Sequence, residues 1–560
     1  MKQKKIIIVF NITIIVCILL NLKAIAQAPD WAWAKSAVGT NLDYANSVAT
    51  DNLGNVYAVG LFTSDSITFG STTLINYDTT YNSYDIFIVK YSAGGNVIWA
   101  KSFGGDFDDD AFSVAVDATG NVYVAGIFRS DSITFGSNIL INHYMPSPAI
   151  FIVKCNADGD VLWAKNANGS YYVNATSVAI DAECNVFVAG DFNSPTIIFG
   201  SDTLTRIGGA DMFIVKYDSI GNVLWAKRAG GVNSSNYSCL ATGISSDNSG
   251  NSYVVGYFSN DILAFDSTIF INLNPGFNDI FIVKYDPNGK VLWAKTAGGN
   301  AYDWANSVAV NKYGDVYVAG QYGSDSITFG PTTLVNFGLD DIFLVKYDSS
   351  GNIKWAKSTG GTEADNAYSV AADTSGNAYL AGWFKDDTIA FGTTTLTNNG
   401  IANIFIAKYD TSGNVIWAKS AGGNNLDYAN SVAVNSSGNA YITGTMGSPS
   451  ITFGSDVLTN AGVWDMFIAK LDATAGIEEI VNGENNINVY PNPTDGAFTI
   501  SYGTLQPSIY IYNCLGKLVY KKEKASQGCE QINLSAYSKG IYFIKMQSGE
   551  KSYSKKVILE

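Results

Sequence analysis

The 560-residue chain has a single histidine, His143, and only two glutamates, Glu183 and Glu363, between residues 27 and 476. One imidazole excludes serine triads, Cys–His pairs and zinc sites built on several histidines. Of the 41 acidic residues in that span, 39 are aspartate. Aspartate suits turns and caps, whereas glutamate favours helix, so the acidity reads as loop chemistry on a β framework. Basic residues are scarce in the same span, 21 Lys and Arg in all, while residues 477–560 hold nine against eight acids. A body this acidic repels phosphate backbones, and no nucleic-acid partner is expected.

Cysteine is also sparse. Beyond Cys17 there are five, Cys155, Cys184, Cys239, Cys514 and Cys529, and an odd number in an exported chain excludes complete internal pairing. Cys155 stands where sister segments carry Tyr, Cys184 where most carry Gly, and Cys239 where most carry Asp, which marks them as substitutions. Cys514 and Cys529 are close enough in sequence to pair or to remain free. The one long apolar run covers residues 6–20, broken by Asn11, with Lys2, Lys4 and Lys5 before it and Ala24-Ile25-Ala26 behind it. That pattern predicts a cleaved signal peptide over 1–26, and no transmembrane segment in the mature chain.

What is abundant is repetition. Trp-Ala-Lys begins at Trp33, Trp99, Trp163, Trp225, Trp293, Trp355 and Trp417, at spacings of 66, 64, 62, 68, 62 and 62 residues. Each unit contains "SVAVD" and "NVYVAG" around a Gly-bearing turn, then "SITFG", then "IFIVKY" and "NVIWAK" across a turn of the "DSSG" type. Short Val- and Tyr-rich runs with such turns predict β-hairpins. Both alternating faces of "NVYVAG" are apolar, so this strand is expected to be covered on both sides. Lys90 and Lys101 close their strands and are expected to guard a sheet edge.

A repeat that cannot bury its own faces draws on its neighbours. The first Trp-Ala-Lys precedes its repeat, and none follows the last "MFIAKL". The expected architecture is therefore all-β: a seven-bladed β-propeller over 27–476 whose last sheet is closed by the N-terminal strand. A linker is expected over 477–486, and a small Ig-like β-sandwich over 487–560, where short alternating strands resume between Pro, Gly and polar turns.

The string "WAKSFGGDFDDDAFSVAVDATGNVYVAG" at 99–126 resembles the SBBP β-propeller repeat of bacterial exported proteins, and the likeness covers residues 31–472. It implies a propeller and no particular activity. Tyr490-Pro491-Asn492-Pro493 with Gly496, the segment 513–516, Gly540-Ile541-Tyr542 and Lys555-Lys556-Val557 resemble the type A C-terminal sorting domain of the type IX (Por) secretion system of Bacteroidetes. That resemblance implies the type IX machinery as partner of 487–560, export across the outer membrane, and release or attachment at the cell surface.

Asp43, Asp109, Asp303, Asp365 and Asp427 occupy one repeat position, with Val173 and Cys239 in the other two copies. Acid and base catalysts need different environments, so a residue shared by five repeats predicts a structural task. The seven tryptophans Trp33, Trp99, Trp163, Trp225, Trp293, Trp355 and Trp417 are read in the same way. Asp106, Asp108, Asp109 and Asp110, and the loop at 156–160, lack the spacing of a calcium loop. No catalytic residue, metal or cofactor is assigned. Aromatics outside the repeat register, Trp304, Trp383 and Trp464 with Tyr44, Tyr302, Tyr368 and Tyr428, are candidate ligand contacts on loops. The resulting expectation is a non-enzymatic binding or adhesion scaffold for an extracellular glycan or protein. An Asp-dependent polysaccharide hydrolase or lyase and a structural surface-matrix component are the alternatives.

Overall fold

The computed structural model describes residues 28–79, 83–231, 238–473, 488–503, 505–513, 517–548 and 551–560. The expected leader over 1–26, the linker over 477–486 and Cys514 lie outside the described residues; Cys529 is exposed and unpaired. The chain divides into two compact units, residues 1–473 and 474–560.

In the first unit, Asp43–Thr50, Val56–Phe62, Asp85–Tyr91 and Val97–Phe103 form a four-stranded antiparallel sheet. Five more sheets repeat this order, with first strands at Asp109–Val116, Val173–Ile180, Cys239–Ser246, Asp303–Val310 and Asp365–Ala372; that of Val173–Ile180 is extended to six strands by the hairpin Ile262–Phe265 and Thr268–Ile271. The seventh contains Asp427–Val434, Ala440–Met446 and Asp465–Leu471, and its fourth place is taken by Trp31–Ser36, with Trp33 opposite Lys470 and Ser36 opposite Phe467. "SITFG" proves to be half of a small hairpin, as in Ser66–Phe69 with Thr72–Ile75, which forms a two-stranded sheet of its own in all copies but the fourth.

The second strand of the first sheet is buried at every position, as its two apolar faces require. Each first strand packs against the first strand of the next sheet, and Asp427–Val434 packs against Asp43–Thr50. A hydroxyl belt runs along this series. Val114 N–H donates to Ser47 Oγ, Val178 to Ser113, Ile244 to Ser177, Val370 to Ser307, Val432 to Ser369 and Val48 to Ser431, all at 3.1–3.2 Å.

The Trp-Ala-Lys signature is an inter-sheet clamp. Trp99 Nε1 donates to the carbonyl of Ala157 in the following sheet at 3.0 Å, and Lys90 Nζ donates to the same oxygen at 2.8 Å. The turn glycine beside that carbonyl, Gly159, has φ +81°, and a Cβ there would come within 3.1 Å of the Trp99 ring. Trp163, Trp225, Trp293 and Trp355 bond to Ser219, Pro287, Ser349 and Thr411 in the same way, and Trp33 bonds to Ala93.

The lysines closing the third strands therefore do not guard an edge. Lys90 is 7 % exposed and lies 5.1 Å over the Tyr57 ring, an arrangement repeated to Lys470 over Tyr441. Burial of the ammonium is offset by the ring face, a carbonyl and, for Lys216, the Asp181 carboxylate at 3.4 Å.

The second unit stacks a three-stranded sheet, Asn488–Tyr490, Ala497–Gly503 and Gly528–Asn533, with a four-stranded sheet of Leu518–Lys522, Ser508–Asn513, Gly540–Ser548 and Lys551–Leu559. Phe498, Ile500, Ile509, Ile511, Ile544 and Val557 form their shared core.

Candidate functional site at the mouth of the first strands

The seven copies can be compared position by position. The third residue of the first strand is Ala in all seven, Ala45 to Ala429, and the residue opposite it on the second strand is Gly in all seven, Gly60 to Gly444. A Cβ on Gly60 would fall 1.8 Å from the Tyr44 carbonyl oxygen, and on Gly126 2.0 Å from that of Asp110. This backbone approach fixes the frame.

Between these fixed residues the chain varies freely. The second residue of the first strand is Tyr44, Asp110, Asn174, Leu240, Trp304, Asn366 or Tyr428. Its partner on the second strand is Leu61, Ile127, Asp191, Tyr257, Gln321, Trp383 or Thr445. Because the first strands pack side by side, these positions form one collar. Variation in chemistry on an invariant frame is what a ligand site built on a repeat requires.

One side of the collar is aromatic. Tyr44 stacks on Trp464 at 6.2 Å, Trp464 on Tyr428 at 5.6 Å with planes 15° apart, and Tyr428 meets Trp383 at 5.3 Å. Tyr368 continues the row 6.2 Å from Trp383. Elsewhere Trp304 stacks on Tyr302 at 5.6 Å, and Tyr302 meets Phe277 at 5.0 Å. The sequence placed these rings on loops; Tyr44, Trp304, Tyr368, Trp383 and Tyr428 instead lie in strands, and Trp383 is only 7 % exposed.

The other side carries acids. Asn46 Nδ2 donates to Asp110 Oδ1 at 2.9 Å, and burial pushes the Asp110 carboxyl up to about 7 against the pull of Arg129 and Asn46. Asp191, also raised to about 7 by burial, is steadied by Asn174. Burial raises the nearby Tyr172 and Tyr257 phenols, and Asp191 raises both further.

The repeated aspartates are buried beneath this mouth. Asp43 accepts from Ser64 Oγ at 3.0 Å, Asp109 from Ser130 Oγ at 2.8 Å, Asp303 from Ser324 Oγ at 2.8 Å and Asp427 from Ser448 Oγ at 2.7 Å, while Asp365 accepts from Lys385 N–H at 3.0 Å. All five are 0 % exposed. Asp109 and Asp110 turn to different partners, and no three acidic, His or Cys side chains converge as metal ligands among the described residues.

Sequence reasoning missed a second series, Asp85, Asp211, Asp279, Asp341 and Asp465, which opens the third strand. The Asp before "IFIVKY" was its signal. These carboxyls also explain the Gly-Gly landmark: a Cβ on Gly104 would lie 1.9 Å from Asp85 Oδ1, and on Gly298 1.8 Å from Asp279 Oδ1.

Residues 488–560 match the secretion system C-terminal sorting domain, and residues 354–383 match the β-propeller repeat SBBP. The chain thus carries a β-propeller repeat of the SBBP type and a type IX sorting domain at 488–560. Among curated proteins it is similar to the uncharacterized WD repeat-containing protein L264 of Acanthamoeba polyphaga mimivirus, 25 % identical over 78 % of this chain and 38 % of that protein. It is also similar to the ulvan lyase NLR42 of Nonlabens ulvanivorans, 24 % identical over 52 % of this chain and 56 % of the enzyme. The chain thus spans well under two thirds of either relative. Among solved structures, Sqt1 of Chaetomium thermophilum is 11 % identical, with a TM-score of 0.37, over 84 % of this chain and 96 % of that one.

Proposed function

We propose that the first unit is a seven-bladed β-propeller closed by Trp31–Ser36, that the tail is an Ig-like sandwich directing type IX export, and that the collar binds an extracellular glycan without turning it over. The observation that carries this reading is the stacked row Tyr44, Trp464, Tyr428 and Trp383. Sugar rings present C–H faces to aromatic planes, and their hydroxyls need fixed amides and carboxyls such as Asn174, Asn366, Gln321 and Asp191 at the same height. The acidic body, against which the collar sets Arg129 beside Asp110 and Lys385 5.2 Å over the Trp383 ring, favours a neutral glycan over a polyanionic one. The recurrence of the scaffold aspartates in five of the seven copies favours binding over catalysis, because acid and base catalysts need different environments.

Asp110 and Asp191 are the observation behind a second reading, a hydrolase, because carboxyls held near pKa 7 suit proton transfer. A neutral-glycan panel with residues 28–473 separates the two. Binding is expected without new reducing ends, and Trp464→Ala with Tyr428→Ala should weaken it at least ~10-fold, as loss of two hot-spot aromatics does. Turnover that disappears in Asp191→Asn would establish the hydrolase instead.

A further inference from the structure

The sorting tail contains two kinds of motif residue. Asn492 Nδ2 donates to the Lys556 carbonyl at 2.7 Å, and Asn492 Oδ1 accepts from Ile558 N–H at 2.9 Å, which ties the Tyr-Pro-Asn-Pro segment to the closing strand. Val557 is fully buried in the core. Folding alone accounts for these residues.

It does not account for Ile541, which stays exposed beside Asn513, whose Oδ1 accepts from Lys517 N–H in a turn, and Tyr542, which belongs to the core. Asn513 and Gly540-Ile541-Tyr542, far apart in sequence, line one open cavity of about 480 Å3. Leu518, Tyr537 and Ile541 line it as well and remain 42 %, 43 % and 42 % exposed. The two tyrosine hydroxyls are spent on the backbone, Tyr537 donating to the Val519 carbonyl at 2.7 Å and Tyr542 to that of Ser538 at 2.5 Å. Their rings are thereby fixed as walls. Lys517 and Lys539 are the charged residues of the lining, and no carboxylate joins them. Rigid apolar walls between two cations fit a short acidic segment with an apolar anchor.

We propose that this cavity is where the type IX machinery reads the tail, by receiving an acidic, apolar-anchored peptide segment of a transport component. The proposal rests on the export reading and assigns it a surface. The test uses the full chain produced in a bacterium with a working type IX system, with surface and medium fractions compared against the periplasm. Lys517→Glu with Lys539→Glu is expected to raise the periplasmic fraction at least tenfold while the purified chain melts as wild type does; the Lys→Arg pair is expected to be exported normally. A photo-reactive phenylalanine at Leu518 should cross-link to an outer-membrane component, and less so in the charge-reversed background.

Normal export of the charge-reversed chain, or cross-links indifferent to charge, would overturn the proposal. Failure of the wild-type chain to leave the periplasm would overturn the export reading together with it. If charge reversal lowers the melting temperature, the cross-link from the wild-type background decides.

Discussion

Asp43 donates its backbone N–H to the Trp464 carbonyl at 2.8 Å, which sets its buried carboxyl against that of Asp465 across the junction of the first and last sheets. The same arrangement places Asp109 against Asp85, Asp303 against Asp279 and Asp365 against Asp341. Burial drives all of these carboxyls upward: Asp43 and Asp303 to about 7, Asp109 and Asp365 to about 8, and Asp85, Asp279, Asp341 and Asp465 to about 6. Asp85, Asp341 and Asp465 each keep one buried oxygen without a hydrogen-bond partner. At the junction of the second and third sheets both partners are lost together, as Ala149 and Val173.

These pairs dictate how stability depends on pH. A carboxyl whose folded pKa exceeds its unfolded value binds more protons in the folded state, so its contribution falls as pH rises through the window between the two. The window here runs from about pH 4 to pH 8. Hydrogen bonds from Thr119 and Asn121 overcome burial to hold Asp117 below the ordinary carboxylate range, and Asn377 does the same for Asp373. Those two contributions are lost only on acidification below about pH 4. The melting temperature should therefore peak between about pH 4 and 6 and fall steadily towards pH 8.5. Asp85→Asn, which copies Asn403 at the same position of the sixth sheet, should flatten part of that fall. A melting temperature that climbs from pH 5 to pH 8 would contradict the buried-pair account.

The turn after each first strand needs a positive φ. Gly54, Gly120 and Gly250 supply it at +79°, +84° and +76°, whereas the third sheet uses Cys184 at +61°. A side chain in the left-handed region costs roughly 1–2 kcal/mol, part of which glycine returns through its greater unfolded entropy. Cys184→Gly is expected to stabilise the unit by about 0.5–1 kcal/mol, read as a rise in denaturant midpoint with an unchanged slope. A lowered midpoint would mean that the thiol makes a compensating contact.

The hydroxyl belt has one gap. Val308 N–H faces Gly243, where the six other copies offer a serine. A Cβ on Gly243 would meet Asn306 O at 3.2 Å, which a shift of a few tenths of an ångström relieves, and its φ is not in the left-handed region. Gly243→Ser should add one hydrogen bond and remove glycine entropy, about 0.5–1.5 kcal/mol in all. Amide exchange at Val308 reports on it directly: slower exchange is expected, and unchanged exchange would show that the hydroxyl does not reach.

Much of this fold was legible because a repeat writes its constraints seven times. The strands and their turns follow from residue types that recur in register. The inward turn of Lys90 was not legible. An aliphatic stem ending a strand looks the same whether its ammonium meets water or the Tyr57 ring, and only packing between sheets decides. The collar was hidden for the opposite reason. Tyr44, Asp110, Asn174, Leu240, Trp304, Asn366 and Tyr428 look like noise until the strand register shows that all seven occupy one height. Trp383 illustrates the limit: its departure from the repeat was visible, but its place on a second strand, opposite Asn366, depends on pairing that the sequence does not spell out.

The last prediction concerns the join itself. Trp31 meets Phe453 edge-on at 4.8 Å, Trp33 packs between Tyr441 of the last sheet and Tyr91 of the first, and Ala34 N–H donates to Asp456 Oδ2 at 2.8 Å. Trp33 Nε1 also reaches the Ala93 carbonyl at 3.1 Å, so one short strand holds both neighbours. Removing residues 28–36 withdraws two buried indoles, each contributing on the order of 2 kcal/mol, and leaves Asp465–Leu471 as a bare apolar edge. The shortened unit should melt at least several degrees lower and form dimers or larger species through that edge. Trp33→Ala alone should lower the melting temperature without producing those species, because the strand still covers the edge. If the shortened unit remained monomeric with an unaltered melting profile, Trp31–Ser36 would not be what closes the ring.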